Sequence, residues 1–189
     1  MNNPQPFAFT GYAREYGTFI GLLWTAAFAL YAQGIQHMNT AAICAALIFM
    51  VASPVQMCLL GRRLHNRLPA NVDFKYLMSY IFSLQMLMFA SLLFGLLIFC
   101  YFALIDQGGF ANGILSMLNQ PDVTMAYREM GMSHMLKDAK DMVGQFAALS
   151  PLQISLSLFN NCVMTSLFMA AIVALFVRKS TRKGPPARI

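Results

Sequence analysis

His134 and Asp138 stand one helical turn apart, and Lys137 with Asp141 repeats the spacing. At that separation a carboxylate can orient an imidazole and fix its tautomer, which a general base or a metal ligand needs. Solvated helix faces display the same pairs for a blander reason, since i, i+4 charges support the helix itself. A metal site would need further ligands, and the other histidines, His37 and His65, fall in different segments. Cys44, Cys58, Cys100 and Cys162 each sit inside an apolar run, where a thiol behaves as a small polarisable core residue. HExxH, GxSxG and phosphate-binding glycine motifs are missing from the chain. The sequence therefore assigns no catalytic residue, no cofactor and no metal. A membrane enzyme would have only His134 and Asp138 to work with.

The elements that must position those residues are set by where charge is missing. Of 189 residues 58% are hydrophobic and 11% are charged, against roughly 25% charged in a soluble domain. Residues 16–61, 76–105 and 142–177 contain no Asp, Glu, Lys or Arg. About 20 apolar residues at roughly 1.5 Å each cross a hydrocarbon core of about 30 Å. Four spans are predicted, at about residues 17–36, 40–60, 74–105 and 151–177. The expected fold is an all-α membrane protein, a four-transmembrane-helix bundle with an additional amphipathic helix in the loop between helices 3 and 4. It forms a single domain over 1–189. The turn at His37-Met38-Asn39 is short enough to make spans one and two antiparallel neighbours. Residues 61–73 read as a polar loop ending in Asp73, an N-cap for span three, and Ser150-Pro151 reads as the start of span four. Pro54 should kink span two.

Orientation follows from the bases. The N-terminal arm, the 61–75 segment and the tail at 178–189 hold ten of the thirteen Lys and Arg, whereas the 106–150 loop holds three beside five acids. The positive-inside rule then places both termini in the cytoplasm and the acidic loop outside. No cleavable leader is expected, because the first 15 residues lack a basic start followed by a short apolar core. The net charge of +6 is a topology signal and implies no nucleic acid. Arg62, Arg63, Arg67, Arg178 and Lys179 are the expected contacts to anionic lipid headgroups or to a partner.

Small residues mark where helices can meet closely. Ala13, Gly17, Gly21, Thr25 and Ala29 repeat at every fourth position, and Ser91 with Gly95 repeats the spacing in span three. Such ridges serve contacts inside a bundle or a homodimer seam. Polar side chains at membrane depth need partners, because an unsatisfied amide in hydrocarbon is costly. Gln56 and Gln85 lie at matching depths and are expected to bond. Asn160 and Asn161 give span four a partly polar stripe, read as interhelical glue or as the lining of a substrate path. In the outer loop, Gly108, Gly109, Asn112 and Gly113 predict a flexible start. From Pro121 to Leu149 apolar residues recur at threes and fours, which predicts one amphipathic helix lying on lipid or capping the bundle. Its methionines suit an adaptable surface.

Four spans, the basic segment entering the helix near NVDFKYLMSYIF, Ile105-Asp106 beyond span three, the outer amphipathic helix and the basic stop after span four form a recognisable layout. It resembles an uncharacterised bacterial four-span membrane family, known only as a domain of unknown function, over about Tyr16 to Lys179. The resemblance implies residence in the bacterial cytoplasmic membrane and a setting beside polyprenyl-phosphate glycosyltransferases. The expected function is that of a non-enzymatic accessory or scaffold protein supporting envelope glycan or lipid-linked sugar assembly. The expected partners are the bilayer with its anionic lipids, and a membrane protein such as a glycosyltransferase or a second copy. The alternative is a small lipid-binding or transport protein with a polar path along span four.

Overall fold

A computed structural model describes the backbone of residues 6–67 and 75–177, with side chains over 10–64 and 75–177. Among the described residues there are seven helices and no strand: α1 Pro6–Gln36, α2 Thr40–Arg67, α3 Tyr76–Leu104, α4 Gly109–Leu118, α5 Pro121–Glu129, α6 Ser133–Ala147 and α7 Pro151–Val177. Segments of α1, α2, α3 and α7 are long and apolar enough to cross a membrane. The molecule is an all-α, multi-pass membrane protein.

The helix ends have local causes. Met38 adopts φ 52°, and the bonds Asn39 N–H to Gly34 O and Met38 N–H to Ile35 O close α1 in a Schellman turn. Asn39 Oδ1 then accepts the Ala42 N–H and caps α2. Before α7, Gln153 N–H donates to Ser150 Oγ while Ser150 N–H donates to Gln153 Oε1, a capping box with Pro151 as the first helical residue. Asp73 lies outside the described residues.

Two stretches differ from expectation. Residues 61–67, predicted as the start of a loop, are helical, because α2 continues to Arg67. Gly61 is buried inside that helix, where an added Cβ would meet Val177 Cγ2 at 2.6 Å; it is a close-approach position, not a helix end. The 106–150 segment holds three helices where one amphipathic helix was expected. Gly108, Gly109, Asn112 and Gly113 belong to the start of α4, not to a flexible run. The helix from Pro121 stops at Glu129, since Gly131 takes φ 68° and the Met132 and Gly131 amides bond to Tyr127 O and Arg128 O. That is a second Schellman turn.

The contacts divide the chain into two compact units, and each long helix contributes a segment to both. The first comprises Met1–Gly21, Ala52–Leu92 and Asn161–Ile189. Its core holds Ala13, Ile20, Met57, Leu64, Phe82, Met86, Ala90 and Val173. Gly17 lets α1 approach α3 closely, against Met86, Phe89 and Ala90. Beside it Tyr16 meets Phe82 edge to face at 6.4 Å. The second comprises Leu22–Val51 and Leu93–Asn160. Here Phe28 packs on Tyr101, Phe102 and Phe110 at 5.6 to 5.9 Å, and Phe146 of α6 adds to Phe102 and Phe110 at 6.0 and 5.9 Å. Such ring pairs contribute about 0.5–1.5 kcal/mol each beyond burial. They fasten α4 and α6 onto α1 and α3.

Candidate functional site

In the second unit the polar groups converge on Asp106, just past the end of α3. The chain turns there with Gln107 and Gly108 both at positive φ, and Gly109 N–H closes the turn on Asp106 O at 2.7 Å. The carboxylate is buried. Its Oδ1 accepts from Phe110 N–H at 2.8 Å, Gln36 Nε2 at 3.0 Å and Tyr101 Oη at 3.3 Å, and its Oδ2 accepts from Gly108 N–H at 3.2 Å. Gln36 Nε2 also donates to Tyr101 Oη at 3.1 Å. One side chain thus caps α4 and ties it to the ends of α1 and α3. Gly109 and Gly113 make room for this, since added Cβ atoms would stand 3.0 Å from Gln36 Nε2 and 2.8 Å from Ile35 Cγ2.

A cavity of about 150 Å³ opens beside the carboxylate, lined by Phe102, Asp106, Ala111, Phe146, Leu149 and Ile154 among others. Sites for drug-sized ligands occupy roughly 300–1,000 Å³. This volume holds a few waters or a small headgroup fragment, not an acyl chain or a sugar-linked lipid. The Asp106 carboxylate already has four donors on it, so it acts as a structural anchor and not as a free base.

The residues singled out from the sequence scatter. His134 and Asp138 are both exposed on α6, and no hydrogen bond or ion pair joins them. Among the described residues no three His, Cys, Asp or Glu side chains gather into a metal-holding group. Gln56 and Gln85 do not bond: Gln56 Oε1 is buried with no partner among the described residues. Gly17 and Gly21 are buried and Thr25 is half-buried. Ser91 is buried with its Oγ 3.4 Å from Ser166 Oγ, and Gly95 backs onto Phe159, with Ser155 Oγ donating to Gly95 O at 2.6 Å. Asn160 and Asn161 are exposed and do not line the cavity. Arg62 and Arg63 are exposed at the end of α2; the Arg67 side chain, Arg178 and Lys179 lie outside the described residues.

Sequence reasoning missed Asp106 as a focus and α4 altogether. The signal was an Asp three residues before Gly109, in the pattern Asp-Gln-Gly-Gly, which matches a capped turn. Nothing in the sequence ties it to Gln36.

α4 and α6 pack on each other, with α5 against both. Leu136 of α6 is buried, and Phe146 of the same helix packs on Phe102 of α3. Exposed methionines occur on α5, just past its end and on α6: Met125, Met130, Met135 and Met142 are 54%, 57%, 50% and 69% exposed.

Residues 15–179 match the family described as Protein of unknown function (DUF4199). The chain belongs to that family. No curated protein and no solved structure matches it.

Proposed function

We propose that this family member is a non-enzymatic accessory subunit of the bacterial cytoplasmic membrane, with both termini cytoplasmic, which holds a membrane-protein partner on its extracytoplasmic cap. The supporting observation is the exposed methionine set of α5 and α6 on a pinned support. Flexible thioethers repack against varied partner surfaces, while the Asp106 anchor and the ring cluster keep the helices beneath them fixed. The one-sided bases support the orientation. The family resemblance supplies the envelope setting, in which the partner is a glycosyltransferase acting on lipid-linked sugars.

Lipid binding or transport is the second reading; the amides of α7 do not line the cavity beside Asp106. Purification from native membranes in nanodiscs, followed by intact-complex mass spectrometry, tests the proposal. It expects a co-isolated membrane enzyme, released when Met135→Gln and Met142→Gln are combined. Recovery of the protein with lipid alone would refute it.

A further inference from the structure

Among the polar side chains of α7, most have a partner on their own helix or on α3. Thr165 Oγ1 donates to Asn161 O at 2.8 Å, Ser166 Oγ to Cys162 O at 2.6 Å and Ser155 Oγ to Gly95 O. These are the usual ways for a hydroxyl to be satisfied at membrane depth. Asn160 and Asn161 differ. Both are exposed, and neither side-chain amide makes a hydrogen bond among the described residues.

Their depth makes this consequential. The helix has 27 residues, hence a length of about 40 Å, and the amides stand about 14 and 15 Å from its Pro151 end. With a hydrocarbon core of about 30 Å centred on the helix, both lie about 8–10 Å inside the apolar layer. An Asn side chain is too short to reach the interface from there. Acyl chains offer neither donor nor acceptor, so the surrounding lipid cannot satisfy them.

We infer that this face of α7 pairs with α7 of a second copy of the chain, through the Asn160 and Asn161 amides. Two properties select a second copy over another occupant. Copies inserted in the same orientation and related by a two-fold axis along the membrane normal bring each residue opposite itself at equal depth. A carboxamide also carries both donor and acceptor, so it bonds to its own kind through two N–H to O bonds. The flanking ridge fits close pairing: Ser157, Asn160, Met164, Phe168 and Ala171 are spaced three and four apart, the period of a left-handed helix pair. Met164 and Phe168 are 55% and 73% exposed on it. Ser157 and Ala171 are small enough to let backbones approach. The inference stands apart from the methionine surface of α5 and α6, which involves other residues.

Cysteine crosslinking of the full-length chain in native membranes tests it. With Cys44, Cys58, Cys100 and Cys162 changed to Ala, single substitutions Ser157→Cys, Asn160→Cys and Met164→Cys should yield disulfide-linked homodimers on oxidation. Val51→Cys and Leu92→Cys, equally exposed on α2 and α3, should not. In liposomes, dilution of fluorescently labelled copies should show that Asn160→Leu with Asn161→Leu weakens self-association by about tenfold, and that Gln at both positions restores it. Circular dichroism checks that these variants remain helical. Crosslinking no stronger at the seam than at the controls, adducts only to a different protein, or undiminished association of the Leu variant would each overturn the inference.

Discussion

Replacing Gly17 by alanine adds a single methyl group at the closest approach of α1 to α3. An ideal Cβ there stands 2.7 Å from Phe89 Cβ and 3.3 Å from Ala90 N, and nearer still to the Met86 carbonyl oxygen. Ordinary van der Waals contact begins at 3.4 Å, so the helices must part by at least about 0.7 Å. Two of the three neighbours are backbone atoms, and no rotamer change relieves them. Overpacking costs about 1–3 kcal/mol, and rigid neighbours put this case near about 3. Alanine returns about 1 kcal/mol as the better helix former. The net loss is then about 2 kcal/mol, or about 30-fold in the ratio of folded to unfolded protein. Gly144 on α6 supplies the control, because an added Cβ there meets nothing within 4 Å. Gly144→Ala should keep only the propensity gain, up to about 1 kcal/mol. Reversible unfolding by SDS in mixed micelles, followed by far-UV circular dichroism, should rank Gly144→Ala above wild type and Gly17→Ala below it. If Gly17→Ala is as stable as wild type while Gly144→Ala gains as expected, the contact is not tight and the reasoning fails.

Asp106→Ala strands the buried Phe110 N–H and removes the acceptor shared by Gln36 and Tyr101, for a cost of about 3 kcal/mol; limited proteolysis should then cut within Gln107–Leu118, and unchanged resistance would refute the anchoring role. Met38→Gly relieves the left-handed φ of 52° at the end of α1 and should raise stability by about 1 kcal/mol in the same SDS titration. A loss would mean that the Met38 sulfur, which accepts from Gln120 Nε2 at 3.2 Å, matters more than the strain. A double-mutant cycle of Ser91→Ala and Ser166→Ala should return a coupling of about 0.6 kcal/mol. A coupling indistinguishable from zero would show that Ser166 is satisfied by Cys162 O alone.

Four apolar runs announced the four long helices because membrane insertion is governed by composition over a length, and both are written in the chain. The start of α7 was readable at Ser150-Pro151 for the same kind of reason: a cap depends on residues three apart. The segment 106–150 was harder. Its apolar period from Pro121 to Leu149 runs across the break at Gly131, so periodicity alone joined two helices that one positive-φ glycine separates. Glycines near 109–113 suggest flexibility by residue type, although their role is to let α4 approach Ile35 and Gln36, a purpose set by residues more than 70 positions away. Gln56 and Gln85 show the same limit. Matching depth follows from counting residues, whereas facing one another depends on helix rotation, which packing decides.

The fates of the polar groups bear on what kind of molecule this is. Asp106 is engaged by four donors, and the hydroxyls of Ser155, Thr165 and Ser166 are bonded to backbone carbonyls. His134 and Asp138, which held the only catalytic geometry the sequence offered, are exposed and unjoined. Catalysis needs a reactive group held close to others that orient it and shed water, whereas the buried Asp106 carboxylate holds the ends of α1, α3 and α4 together. The unengaged polar groups on the exposed face of α7 are the Ser157 hydroxyl and the Asn160 and Asn161 amides. On the function proposed above, the outward methionines and carboxamides are the surfaces that serve association.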